Sequence, residues 1–279
     1  MPYSAELSRT NPTCMLFLID QSGSMAEPFG TQTDSSKAQC VADGINRLLQ
    51  NLILKCAKGD GIRDYFHVGV IGYGGRVSWA LAGKLAGQKL VPLSVVTHNP
   101  LRIEPRTRKV DDGAGGLVEQ KFKFPVWFEA VATGRTPMCE ALTEATQAIT
   151  VFLRQYPNCY PPIVINISDG KPSDGNPELP AHALRKLESS DGNVLILNAH
   201  LSSTDARPIE YPSRESELPD PHARLLFRMS SVLPARLRDA AKNEGFRVDE
   251  QSRGFVFNAD LVSVLRFLEI GTRAAQAMR

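Results

Sequence analysis

Paired cysteines are missing from this sequence. Its five cysteines, Cys14, Cys40, Cys56, Cys139 and Cys159, are scattered and odd in number, and no CxxC spacing occurs. That argues against a structural zinc site or a disulfide framework, and for small core residues in a reducing compartment. No apolar run approaches the roughly 20 residues of a membrane-spanning helix. The opening Met1-Pro-Tyr-Ser-Ala-Glu lacks the basic-then-apolar order of a secretory signal. A cytoplasmic protein is expected. An excess of charge of one sign is also missing: 32 basic and 30 acidic residues leave a formal charge of +2. Neither nucleic acid nor an anionic membrane is expected as a bulk partner. There is no GxSxG elbow, no P-loop lysine and no DxD pair, so serine-hydrolase and NTPase chemistry find no support. His67 is expected to be packed or hydrogen-bonded within a strand, and His98, His182, His200 and His222 show no ligand spacing.

What the 279 residues do contain is enough apolar sequence, 42%, for a large core. Short apolar runs alternate with helical periodicities. Residues 14–20 (CMLFLID) read as a central strand covered on both faces. Val41, Ile45, Leu48 and Leu52 keep helical spacing within a helix from Ser35 to Cys56. Phe66 to Tyr73 reads as a strand that returns as an edge strand at Val77 to Leu81. Arg102 to Val110 and Leu117 to Phe124 form a predicted hairpin around a glycine-rich turn. Its basic strands and the Trp127 that follows pack back on the fold or face a partner. Pro137 is expected at the first position of a helix that runs to Tyr156. A strand from Ile163 that ends in Asp169, a helix from Asn176 to Ser190 and strand 193–200 follow. Residues 202–222, with four prolines, read as a long surface loop. A helix from Pro234 to Glu244, a strand Gly254 to Asn258 and a terminal helix from Asp260 to Met278 complete the chain. This alternation predicts an α/β fold with a mainly parallel sheet. With no internal repeat and no linker, one domain over 1–279 is expected, with an inserted hairpin at 99–128 and the proline-rich loop at 202–222.

Two of these apolar strands end in aspartates, Asp20 and Asp169. Ser22 and Ser24 follow the first, and Thr136 lies in a tight loop before a helix. In an open α/β sheet ligands bind beyond the carboxyl ends of strands, where the strand order reverses. Two carboxylates and three hydroxyls, with no soft donor, suit an octahedral hard cation, Mg²⁺ or Mn²⁺. Taken alone, the Asp20 to Ser24 stretch also suits a strand-to-helix turn in which a serine caps the next helix.

Asp20-Gln-Ser22-Gly-Ser24 resembles the DxSxS motif of von Willebrand factor type A (vWA) domains. Thr136 in Gly134-Arg-Thr-Pro-Met is similar to their isolated threonine, and Asp169 in Ser168-Asp-Gly to their distal aspartate. The resemblance covers residues 14–200 and the final strand and helix. It implies a doubly wound, Rossmann-like sheet of six strands in the order 3-2-1-4-5-6, with one short antiparallel edge strand. It also implies a metal-ion-dependent adhesion site in which one coordination position stays open for an Asp or Glu of a protein partner, and a terminal helix that shifts on ligand binding. The chain is most similar to bacterial cytosolic members found at tellurite-resistance-type and phage-defence loci. There they accompany a protein kinase and a phosphatase, so such a protein is an expected partner. The inserted hairpin and proline-rich loop depart from minimal family members.

The leading expectation is therefore a non-enzymatic, metal-dependent interaction module that scaffolds or senses within a signalling or defence system. A metal-dependent phosphohydrolase or phosphotransferase with Asp20 as nucleophile competes with it, but no second carboxylate lies beside Asp20 as acid or base. A subunit of an AAA+ ATPase-driven complex is the third reading. Arg135, next to Thr136, reads either as a guide for an acidic ligand or as a plain surface charge.

Overall fold

The computed structural model describes residues 2–29, 32–59, 61–111, 116–201, 208–259 and 266–267. The run from Thr13 to Asp20 is a strand, β1, buried at every position. Helix α1 (Lys37–Cys56) follows, then β2 (Phe66–Tyr73), β3 (Val77–Trp79), β4 (Val91–Pro92) and a short helix α2 (Leu93–His98). Strands β5 (Arg102–Asp111) and β6 (Leu117–Val126) form the hairpin. Helix α3 (Met138–Gln155), β7 (Ile163–Ser168), α4 (Glu178–Lys186) and β8 (Leu195–Leu201) come next. Last are β9 (Ile209–Glu210), α5 (Pro221–Met229), α6 (Ala235–Asn243) and β10 (Phe255–Ala259).

The central sheet runs β9-β10-β8-β7-β1-β2-β3, with β4 also on β2. All pairings from β2 across to β10 are parallel, whereas β3, β4 and β9 are antiparallel. The six strands named by the resemblance keep its order, with β3 as the short antiparallel edge. Two further strands of two residues each, β4 and β9, extend the sheet to eight.

Alternation along the strands sends side chains into two layers. Met15, Phe17 and Ile19 of β1 join α1, α2 and α6 in one core. Cys14, Leu16 and Leu18 join α3, α4 and α5 in the other. With helices on both faces, the apolar run of β1 and that of β7, broken only by buried Asn166, have no wet face to present.

The structure corrects several boundaries. Pro137 is the residue before α3, not its first helical position. Helix α4 stops at Lys186 because Glu188–Ser189 pairs with Gly192–Asn193 around a tight turn, where Gly192 has φ +142°. The edge strand ends at Trp79, and Leu81 instead bridges to Phe128. The proline-rich segment is not one loop. Its described part holds β9 and then the start of α5, capped by Asp220, whose Oδ1 accepts from His222 N at 2.8 Å and Ala223 N at 2.9 Å. Asp220-Pro221 is a cap followed by proline at the first helical position, a start signal overridden by the density of prolines. Helix α2 has only six residues, too few to show a period. Of the terminal helix, only Arg266 and Phe267 are described, with Phe267 buried in the first core. The rest lies outside the described residues, as does the hairpin turn 112–115.

The hairpin is a separate two-stranded sheet, and its root is fixed to α1. Arg106 reaches both oxygens of Asp43 at 2.8 and 3.0 Å and lies over the Phe124 ring at 3.7 Å. Trp127 is buried and donates from Nε1 to Val96 O at 2.7 Å. Asn46 of α1 accepts from the backbone N of Trp127 and Phe128 and donates to Phe128 O.

Candidate metal centre

Strand order reverses between β1 and β7, which lie side by side with Ile19 opposite Ile167. Asp20 is the last residue of β1 and Asp169 the first beyond β7. Asp20 is held by both strands. Its Oδ1 accepts from Ser22 N at 2.9 Å, closing the loop, and its Oδ2 accepts from Ser168 Oγ at 2.7 Å. Ser22 Oγ and Ser24 Oγ are 3.1 Å apart, and Ser24 Oγ donates to Asp169 Oδ1 at 2.8 Å.

Thr136 arrives from a third segment, carried by loops stacked backbone to backbone. Thr133 N donates to Gln21 O at 2.6 Å and Gly23 N to Gly134 O at 3.1 Å. Gly134 has φ +83°, and a Cβ there would sit 2.4 Å from Gly75 Cα, so glycine is required twice over. Ser173 then clamps Thr136, accepting from its N at 3.0 Å and donating to its O at 2.9 Å. Asp174, one residue on, accepts from Cys139 N and Glu140 N and caps α3 from outside the helix.

The result is convergence. A Cβ built on Gly170 would lie 3.5 Å from Thr136 Oγ1, 3.9 Å from Asp20 Oδ2 and 3.9 Å from Ser24 Oγ. Oxygens from two separate segments thus surround one small cradle that the glycine of a third leaves open. Ser22 and Asp169 join them through Ser24, so all five sequence-predicted residues come together. Among the described residues no three His, Cys, Asp or Glu side chains form a metal-holding group by themselves. The hydroxyls are needed to complete the set, and an all-oxygen set fits a hard divalent cation. Burial pushes the Asp20 carboxyl up, against the lowering hydrogen bonds from Ser22 and Ser168, and the nearby Asp169 charge adds to the rise.

Two features escaped the sequence. The first is Lys37, the opening residue of α1. Its Nζ donates to Asp169 Oδ2 at 2.8 Å and to Glu27 Oε2 at 2.9 Å. Burial works to lower its pKa, but the Asp169 and Glu27 carboxylates outweigh that and raise it. A cation in the first turn opposes the helix dipole, and that was the available signal. The second is a histidine pair. His200, opposite Ser168 in the sheet, and His222 of α5 have ring centroids 5.6 Å apart, and His200 stacks on Phe257 at 4.9 Å. Burial lowers both, His200 to about 4 with a further push from His222. His67 packs edge-on against Phe152 and Tyr156, as expected of a strand histidine. Arg135 is exposed beside Thr136.

No family model matches the chain, and no curated protein sequence does. Solved structures do. The chain is similar to the manganese-loaded TRAP protein of Plasmodium vivax, at 16% identity and a TM-score of 0.38, over 72% of this chain and 61% of that one. It is also similar to the vWF domain of the type V pili tip protein Mfa5 from Porphyromonas gingivalis, at 13% identity and a TM-score of 0.33, over 58% of this chain and 39% of that one. The chain therefore spans about three fifths of the first and two fifths of the second.

Proposed function

We propose that this chain is a metal-dependent protein-interaction module, in which Asp20, Ser22, Ser24, Thr136 and Asp169 hold Mg²⁺ or Mn²⁺ and a partner completes the site with an Asp or Glu. The observation that carries this reading is the gathering of Thr136 Oγ1, Asp20 Oδ2 and Ser24 Oγ around the cradle beside Gly170. A bound divalent cation supplies a Lewis-acidic point to which a carboxylate oxygen can be drawn. The chain's own residues do the rest. Neutral hydroxyls from Ser22, Ser24 and Thr136 leave positive charge uncompensated, which two directly bound carboxylates would cancel. Asp20 and Asp169 are already tied to Ser168, Ser24 and Lys37, which suits them to orient the hydroxyls. Exposed Arg135 lies where it would draw an acidic segment towards Thr136. The reading extends, through the resemblance, to a bacterial signalling or defence system with a kinase or phosphatase of the same locus as partner.

Affinity capture from native lysate, in Mg²⁺ and again in chelator, is the test. Capture of a specific protein in Mg²⁺ that disappears with chelator, with Asp20→Ala and with Thr136→Ala, all still folded by circular dichroism, is expected. Capture that is indifferent to all three sinks the reading, as does metal-dependent phosphoester turnover abolished by Asp20→Ala.

A further inference from the structure

Lysine is a costly residue to bury, and burial without a partner is the costliest case. The Lys37 side chain is 4% exposed and that of Asp169 1%, whereas Glu27 is 55% exposed. Solvent therefore screens the contact with Glu27, and the unscreened interaction is with Asp169. The two oxygens of Asp169 are committed differently: Oδ1 accepts from Ser24 and Oδ2 from Lys37. Donating its proton to Asp169 leaves the lone pairs of Ser24 for a cation. Meanwhile the ammonium offsets the carboxylate charge that would otherwise favour that cation.

We propose that Lys37 is a specificity-determining residue of the metal site. Resting on the reading above, the inference is that its charge weakens binding of the divalent cation alone and strengthens the hold of the loaded site on a carboxylate. Each effect follows from the sign of the charge. A fixed cation repels a second cation and attracts an anion that approaches it. Bound metal and carboxylate attract each other and by linkage tighten each other by the same factor; Lys37, by favouring the carboxylate, lowers the concentration at which that tightening is reached. Without Lys37 the site would load with metal readily and discriminate poorly between partner and solvent.

The test titrates Mn²⁺ into the full chain, followed by electron paramagnetic resonance of the free ion, with and without acetate as a carboxylate probe. Lys37→Met is expected to tighten Mn²⁺ binding by about tenfold or more, the scale of a unit charge removed nearby. Lys37→Gln removes the charge, can retain a hydrogen bond to Asp169, and is expected to move the same way. Lys37→Arg keeps the charge and is expected to stay near wild type. Acetate at a sub-saturating concentration should tighten Mn²⁺ binding more in wild type than in either neutral variant. Unchanged or weaker Mn²⁺ binding in both neutral variants, with wild-type binding abolished by Asp20→Ala, overturns the role of Lys37 and leaves the metal site standing. Wild-type chain that binds no Mn²⁺, or binds it equally well as Asp20→Ala, overturns both.

Discussion

His200 shows how a single side chain ties stability to pH. Burial holds its pKa at about 4, below the ordinary 6.5. As pH falls through that window the unfolded chain takes up a proton and the folded chain does not. Stability therefore rises from about pH 4 to about pH 6.5 and is fully present above it, the difference being of order 3 kcal/mol. Urea denaturation across this range should show the slope, and His200→Gln should flatten it. A slope unchanged in that variant would assign the effect elsewhere. The five oxygen-bearing residues were legible because each sits at a feature that a linear sequence displays: an abrupt aspartate after an apolar run, or a hydroxyl in a glycine-bearing loop. Lys37, His200 and His222 were not, because their roles come from contacts across the fold. Lys37 lies 132 positions from Asp169 in sequence.

A chain of buried polar groups links the strands beneath the site. Tyr73 of β2 donates to Asn166 of β7 at 2.6 Å, Asn166 to Asn198 of β8 at 2.9 Å, and Asn198 to Ser230 at the end of α5 at 2.9 Å. Both asparagines are fully buried. Replacing Asn166 by Leu leaves the Asn198 oxygen unpaired and the Tyr73 hydroxyl with only its long 3.5 Å contact to Ile167 O, and should cost about 2–4 kcal/mol in chemical denaturation. Adding Tyr73→Phe should restore part of the loss, since an absent hydroxyl needs no partner, whereas purely additive losses would deny the link. Strands and long helices were readable because their runs and periods are local. Helix α5 was not, since the four prolines from Pro208 to Pro221 outweighed the one Asp-Pro pair that opens it. The fixing of the hairpin root by Asn46 and Arg106 is likewise long-range, so sequence left open whether Trp127 faced inward or outward.

For the molecule as a whole, a ligand that binds only the folded state adds stability by mass action. Metal at about 100 times its Kd adds roughly 2.7 kcal/mol. For a chain of this size that corresponds to about 5–10 °C in Tm. Scanning calorimetry of wild type should show such a rise with Mn²⁺ and its reversal by chelator, while Asp20→Ala should melt alike in both. An equal rise in Asp20→Ala would place the stabilising ion outside the centre. The overall α/β architecture and strand order were expected from the alternation of elements and from the resemblance. The two extra strands were not, because two residues carry no pattern.

Those two small strands, with β3, set how much border the central sheet offers to an incoming strand. Along the outer side of β2, β3 covers Ile71 to Tyr73, Ala80 N binds Val70 O, and β4 covers His67 and Val68. On the opposite edge β9 covers Val256 and Phe257, and Tyr211 N binds Phe255 O. An incoming strand thus meets at either end of the central sheet a border only two or three residues long. Such borders are poor templates for edge-to-edge growth. The parallel, strongly apolar interior, slow to assemble and open to aggregation while it does so, is bordered in the folded chain by its least conspicuous pieces.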